Sequence, residues 1–471
     1  MQIYENFLSL RVMKSDRRHI FSRPAAILLA AAVLLYSCSP VDLDFNPTPD
    51  TGHTEDAPAR IPVKEYRNVF IMYSMGFNDL RRYLTEDIAD VLSSPLMENG
   101  RDIILIFSHI AKPMKYWPYF DADTPVSPTL TKISKDARGR IQKDTLLVMD
   151  NSTVVTSEDV LTEVLTFTKE NFDAETYGIL LSSHGSGWAP SGYISDPEAF
   201  DPQEDEDEGW LTPISMLQRR RIPAYRPPKE GEIQVKTMGM HYFTLDETHE
   251  MEITDMAEAF PFKMDYIIFD ACYMGGIEVA YQLRNSTDYL VASQTEILGD
   301  GMDYKNIASY LFAEGGPDLE GFSRGYYDYY NAKSGWEKSA TISLIDCNKL
   351  EPLAQSAKKI FSTYRSGLNS LQATRNVQQY YRRDNEKKQK WYHDFGDIVH
   401  KCGISEEDRN EFDRCLDDAV IYKAATEYFM SDFTIRSHSG LSMYLPFSEN
   451  RDYLNTFYKT LEWNKATGLV E

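Results

Sequence analysis

The stretch Met264–Gly276 reads MDYIIFDACYMGG. Its apolar run, Tyr266–Phe269, is short and rich in Ile and aromatics, which predicts a buried strand. Asp270 and Cys272 follow at the C-terminal end of that run, and Gly275 and Gly276 lead into GIEVAYQL, whose apolar spacing is helical. A strand giving way to a helix is the repeating unit of a layered α/β sheet. A cysteine at such a junction can have its thiolate favoured by helix N–H dipoles. By itself a lone cysteine is more often a packing residue, because free Cys is among the most buried residue types.

Tyr177–Trp188, YGILLSSHGSGW, repeats the pattern: an apolar run, then a polar residue among glycines. His184 therefore also sits at the C-terminal end of a predicted strand. Open α/β sheets bind ligands beyond the carboxyl ends of their strands. Neighbouring parallel strands lie about 4.8 Å apart, so adjacency of these two would set His184 and Cys272 across one crevice. That pairing supplies what a thiol nucleophile needs, a base for its proton and an acid for the leaving group. The residues alone support a thiol-dependent hydrolase or transferase. The plainer reading of His184 is a satisfied core or loop histidine. A metal site built on Cys272, His184 and carboxylates lacks any ligand-spacing motif.

HGSGW at 184–188 and DACYMGGIEVAY at 270–281 resemble the His and Cys motifs of the clostripain family of cysteine peptidases, relatives of caspases, gingipains and legumain. ASQTEILGDGMDY at 292–304, DFGD at 394–397 and GLSMYLP at 440–446 add further matches, and the resemblance runs from about Asn68 to Phe447. It implies a caspase-like α/β/α sandwich with a mainly parallel sheet and a helical C-terminal extension. It implies a cysteine endopeptidase in which Cys272 attacks the scissile carbonyl and His184 serves as general base, then acid. Backbone N–H groups at Gly185 and Cys272 would form the oxyanion hole.

Family members cut after Arg or Lys, using acidic residues in the pocket for the side chain before the scissile bond. Asp270 matches the Asp two residues before the catalytic Cys, and Asp300 lies in a GDG that matches the family's loop after the next strand. A carboxylate in a closed pocket gains from pairing with a guanidinium. The plainer readings are a cap on the Cys loop for Asp270 and a turn residue for Asp300. Met302 stands where an aromatic is common in the family, which leaves Arg against Lys open. Clostripain-like enzymes are often cut by themselves between the two motifs, after a basic residue. Here residues 189–250 form a long insertion carrying Arg219, Arg220, Arg221, Arg226, Lys229 and Lys236. Polar, Pro-rich loops are preferred nicking sites, and Arg219, Arg220, Arg221 and Lys236 are the favoured positions. An uncut loop lying across the cleft would make the chain a zymogen. The plainer reading is that the basic run balances DPQEDEDEG at 201–209. On this reading no cofactor is required. Calcium supports some relatives, and no calcium-loop motif is present, so calcium dependence stays open. The expected partners are proteins or peptides with Arg or Lys, and a monomer is expected. The rival is a surface lipoprotein that keeps a caspase-like fold as a non-catalytic binding module.

The chain has 471 residues, enough for one large domain with insertions or for two. Its net charge of −23 argues against nucleic acid as a partner. Five scattered cysteines (38, 272, 347, 402 and 415) are too few for a disulfide framework, and Cys402 and Cys415 read as reduced core residues. Residues 1–37 look like an export signal peptide: Arg17, Arg18 and Arg23 precede AAILLAAAVLLYS at 25–37, too short a run to span a bilayer comfortably. Leu35–Cys38 resembles a bacterial lipobox, so Cys38 is expected to be lipidated and the chain anchored in the cell envelope, at the outer membrane or cell surface. Secretion after an ordinary cleavage is the alternative.

The remaining organisation follows in order. Residues 38–66 hold five prolines and read as a lipidated tether. A caspase-like catalytic domain is expected over 67–347. Strands are predicted at 68–76, 101–110, 288–297 and 339–346, with a hairpin at 130–150 and a helix at 157–172 capped by Ser157. A mostly helical part packed on that domain is expected over 348–471, with helices at 349–371, 385–431 and 452–467 and a late strand at 440–445.

Overall fold

Continuous apolar runs form the central strands of the sheet. A computed structural model describes residues 65–78, 80–94, 100–113, 120–121, 124–136, 138–191, 241–244, 247–374, 376–382, 391–446 and 452–471. Its first half runs β1 (Tyr66–Gly76), α1 (Arg81–Ser93), β2 (Asp102–Ile110), β3 (Thr129–Lys135), β4 (Ile141–Val148), α2 (Glu158–Asn171), β5 (Ala174–Ser182), α3 (Ile253–Glu258) and β6 (Met264–Asp270). There follow α4 (Ile277–Leu283), β7 (Thr287–Ala292), α5 (Tyr304–Ile307), α6 (Leu319–Asn331), β8 (Thr341–Asp346), α7 (Leu350–Thr363) and α8 (Arg365–Thr374). The chain closes with α9 (Phe395–Lys401), α10 (Glu406–Ala419), β9 (Val420–Ala425), α11 (Asp452–Tyr458) and α12 (Glu462–Thr467).

One nine-stranded sheet has the order β9-β8-β7-β6-β5-β1-β2-β3-β4. The five central strands, β7 to β2 in that order, are parallel, and antiparallel pairs flank them on both sides. Side chains of a strand point alternately to its two faces. In β1, Val69, Ile71 and Tyr73 enter one core while Phe70 and Met72 enter the other. In β6, Ile267 and Phe269 take the first side, and Tyr266 and Ile268 the second. Strands buried on both faces need helices on both. The first face is covered by α2, α3, α4, α7 and α10 through residues such as Val164, Met256, Val279, Leu353 and Phe412. The second is covered by α1, α5 and α6 through Val91, Tyr304, Phe322 and Tyr326. The result is an α/β/α fold with a mainly parallel sheet, as the resemblance implies.

Local expectations hold where one signal acts alone. Ser157 caps α2 by accepting from the Val160 N–H. The hairpin turns between β3 and β4 at Arg138–Gly139, where Gly139 N–H donates to the Asp136 carbonyl at 2.8 Å. Cys347, Cys402 and Cys415 are free and buried.

Several boundaries differ from expectation. The strand predicted at 288–297 ends at Ala292, because the Gln294 and Thr295 N–H groups turn to the Thr341 hydroxyl. The helix predicted over 349–371 breaks at Tyr364, which has φ −110° and ψ 30°. The predicted closing helix is likewise two, α11 and α12. Residues 420–425, expected as helix, form the outer strand β9. Val420, Ile421 and Tyr422 suit a strand, and β8 offers them an edge. The sheet thus takes its outermost strand from beyond residue 347. The late strand of 440–445 is reduced to Ser442–Met443, paired with His393–Asp394.

Candidate active site

Strands β5 and β6 are parallel neighbours with Ser182 opposite Asp270. Two residues further along each chain stand His184 and Cys272, so the same register carries both beyond the carboxyl ends of adjacent strands. Gly185 brings the two loops into contact. A β-carbon on it would lie 2.5 Å from the Cys272 carbonyl oxygen and 2.8 Å from the Cys272 nitrogen. Only glycine lets the His loop approach the Cys backbone this closely. His184 is half-buried.

Cys272 is half-buried too, and its sulfur turns to the loop after β7. The Ile297 N–H donates to Sγ at 3.4 Å, and Sγ lies 3.8 Å from the Ile297 carbonyl. Burial first, then Glu296, push the thiol up to about 12; the Ile297 N–H opposes this, Asp270 adds to it, and Arg382 opposes it least. The helix starts only after Gly276, and the sulfur faces Ile297 instead. In this state the group is a neutral thiol at physiological pH. Beside it, Arg382 forms a two-point ion pair with Glu296, Nε to Oε2 at 2.6 Å and Nη2 to Oε1 at 3.1 Å.

The residue after Cys272 is under strain. Tyr273 has φ +62°, a left-handed conformation rarely taken by an aromatic residue. Its N–H donates to the Thr295 carbonyl at 2.9 Å, and Gly275 N–H to the Ser293 carbonyl at 2.7 Å. Its ring stacks on Tyr392, centroids 4.4 Å apart and planes 10° apart. The Tyr392 hydroxyl in turn donates to the Ser186 carbonyl at 2.5 Å. One buried tyrosine therefore touches both the His loop and the Cys loop.

Asp270 is buried, and its Oδ2 accepts from the Tyr304 hydroxyl at 2.7 Å and from Ser182 Oγ at 3.2 Å. Burial raises its pKa, and those two donors oppose the rise. Asp87, on α1, is buried beside it. Gly301, at φ +61°, lies between them: a β-carbon there would sit 3.0 Å from Asp270 Oδ2 and 3.3 Å from each Asp87 oxygen. Asp300, by contrast, is exposed. Met302 is buried in the core of the second face.

The structure thus gathers His184, Gly185, Cys272 and Asp270 and leaves Asp300 at the rim. Cys38, Arg219, Arg220, Arg221 and Lys236 lie outside the described residues. Asp87, Ile297 and Tyr392 escape the sequence reading. Asp87 shares the buried face of α1 with Leu84 and Val91, a helical spacing that could have found it, and Tyr392 is one tyrosine among 30. Among the described residues, no group of three or more His, Cys, Asp or Glu side chains is arranged to hold a metal ion, and no helix is long and apolar enough to cross a membrane. A cleft of about 530 Å³ lined by Gln378, Asp397, Tyr428 and Arg436 contains neither His184 nor Cys272. The chemistry of the strand ends outweighs its size in locating the site.

The sequence profile of the clostripain family matches residues 72–208 and 224–469. A segment of 167 residues is 29% identical to clostripain from Hathewaya histolytica, covering 34% of this chain and 26% of that protein. The chain therefore matches about a quarter of that curated relative's length. Among solved structures, the chain is similar to an inactive zymogen C11 protease from Parabacteroides distasonis, with a TM-score of 0.65, 26% identity, and coverage of 86% of this chain and 99% of that one. It is also similar to a secreted C11 cysteine protease from Bacteroides thetaiotaomicron, with a TM-score of 0.64, 25% identity, and coverage of 86% and 100%.

Proposed function

The chain belongs to the clostripain family of cysteine peptidases, and on that footing we propose that it hydrolyses peptide bonds after Arg or Lys, with Cys272 as nucleophile and His184 as its acid–base partner. The observation that carries this reading is the strand register, Ser182 opposite Asp270, with Gly185 packed on the Cys272 backbone. Cys272 gives its proton to His184 and its sulfur attacks the carbonyl carbon. The resulting oxyanion is held by the N–H groups of Gly185 and Cys272, each donor of this kind being worth about 3 kcal/mol. His184 then protonates the leaving amine, and water attacks the thioester to release the acid. Asp270 offers the negative charge that a basic side chain requires, with Asp300 at the pocket's rim.

The neutral thiol held by Ile297 supports a zymogen as the resting form. Attack requires the thiolate, so activation must loosen that hold or strengthen the opposing positive charge. Cleavage at Arg219, Arg220, Arg221 or Lys236 by the enzyme itself is the proposed trigger. These residues lie in an insertion in which the family match is interrupted between 208 and 224. The enzyme is placed outside the cytoplasm, held at the envelope by a lipid on Cys38.

Three proteins starting at Ser39 test the reading: wild type, Cys272→Ala and His184→Ala. Wild type is expected to release fluorophore from Arg and Lys peptides and to appear as two fragments. Each variant should fall at least about a thousandfold in kcat/KM and stay intact. Activity retained by Cys272→Ala would sink the assignment. An intact but fully active wild type would refute self-activation alone. Asp300→Ala leaving the Arg, Lys and Ala rates in their original ratio would remove Asp300 from the pocket. For the anchor, Cys38→Ala in the complete chain should leave the membrane fraction, and unchanged retention would refute lipidation.

A further inference from the structure

Asp87 is buried to 5% exposure and Asp270 to 6%, and they face each other across Gly301. A buried carboxylate ordinarily has a hydrogen-bond donor or a positive partner. Asp270 has two donors, Tyr304 and Ser182. Among the described residues, no group donates a hydrogen bond or a positive charge to Asp87. Its oxygens instead point at the space above Gly301, which Asp270 Oδ2 also faces. That space stays open because residue 301 carries no side chain. The surroundings are acidic on every side. Glu86 and Asp90 lie on the same helix, Asp300 on the facing loop, and the hydroxyls of Tyr304, Tyr326 and Tyr330 come from α5 and α6. The nearby cations are engaged elsewhere: Arg82 pairs with Glu86, and Lys333 lies over the Tyr329 ring.

We propose that Asp87 is a further carboxylate of the specificity pocket, and that Asp87 and Asp270 hold one proton between them until a substrate's basic side chain enters and replaces it. The inference rests on the reading of Asp270 as part of a pocket for Arg or Lys. Two like charges in one buried site cannot both ionise at ordinary pH. Burial raises both carboxyls, and the neighbouring acids, Asp270 first, raise Asp87 further. When a cation enters, the shared proton leaves to solvent, and the site passes from one negative charge to two. A guanidinium, with donors on two sides, engages both carboxylates at once. The charge is therefore created only when it has a partner, and affinity for a cation must rise with pH.

Benzamidine, whose charge is constant over the range, is the probe. Its inhibition constant is measured against the active enzyme from pH 6 to pH 8, for wild type and Asp87→Asn, alongside kcat/KM for Arg and norleucine peptides. One proton released per cation bound predicts an inhibition constant falling about tenfold per pH unit in wild type. Asp87→Asn, which keeps the size of the neutral acid, should give a nearly flat line that meets wild type at low pH. A fall of the wild-type size persisting in Asp87→Asn would assign it to another group, such as His184, and overturn the proposal. A flat wild-type line would overturn it even if the variant did not fold. With that flat line, a retained preference for Arg over norleucine leaves the basic pocket standing and only this inference falls. Wild type without that preference loses the basic pocket itself, and this inference with it.

Discussion

Two buried carboxylates bracket Cys272 on opposite faces of the sheet, and they are treated differently. Glu278, at the start of α4, is fully buried on the face covered by α2 and α7. Its Oε1 accepts from the Tyr444 N–H and the Tyr458 hydroxyl, both at 2.7 Å. It therefore ties the Cys loop to residues from near the end of the chain. Asp270 ends β6 on the other face and looks into a space shared with Asp87. Burial raises both groups. The lesson lies in the neighbours. Each borders a glycine, Gly276 beside Glu278 and Gly301 beside Asp270, but Glu278 is held by donors on Tyr444 and Tyr458, whereas Asp270 faces a second carboxylate, Asp87. Equal burial thus marks an anchor in one case and a binding place in the other.

Glu278→Gln should give the larger effect, and on stability. Burial raises the Glu278 carboxyl from 4.5 to about 7. A folded-state value above the unfolded one means that folding favours the protonated form. Its stabilisation is complete below pH 4.5 and is lost as pH climbs through 7. Gln mimics the protonated acid. The variant should equal wild type in urea unfolding at pH 5 and exceed it at pH 9 by ~3 kcal/mol. Its kcat/KM should change little. An equal stability difference at both pH values would show that Glu278 is not the titrating group. Asp270→Asn should do the reverse. Losing one charge-assisted contact of ~2 kcal/mol lowers kcat/KM for Arg peptides about 30-fold and spares the residual rate on norleucine peptides. A uniform loss on all substrates would make Asp270 a support of the Cys loop like Glu278, and would erase the comparison.

This contrast also explains what could be read from sequence. The central strands declare themselves because strands buried on both faces are continuous apolar runs, as in Tyr266–Phe269 and Ile179–Leu181. With the strands located, His184 and Cys272 follow as their polar ends. Asp270 is legible for the same reason, by its place in a motif. Asp87 is legible only in part: its spacing from Leu84 and Val91 puts it on the buried face of α1, away from Glu86, but no local pattern says that this face meets the loop at Gly301. The exposure of Asp300 depends on the left-handed turn at Gly301, a property of backbone geometry and not of the GDG letters. Residues 420–425 form a strand and not the expected helix for a related reason: β8 offers an edge that no local pattern announces. Glu278 sits in a motif that reads as plain helix, and its burial needs Tyr444 and Tyr458, which are remote in the chain.

Tyr392 tests whether the anchoring side of the comparison also reaches catalysis. Its ring supports Tyr273 in a left-handed conformation that costs about 1–3 kcal/mol, and its hydroxyl holds the Ser186 carbonyl, two residues beyond His184. Tyr392→Phe keeps the stack and removes only the hydrogen bond to the His loop. The lost bond is worth ~1 kcal/mol. If it serves to hold His184 against Cys272, the cost falls on the chemical step: kcat should drop about fivefold with KM unchanged. A structural role alone would lower the urea midpoint and leave kcat intact. The two outcomes separate because the bond lies between the catalytic loops and away from the acidic pocket. A change in KM for Arg peptides, with kcat preserved, would mean that the His loop shapes the pocket instead, and that the two faces of the sheet are not independent.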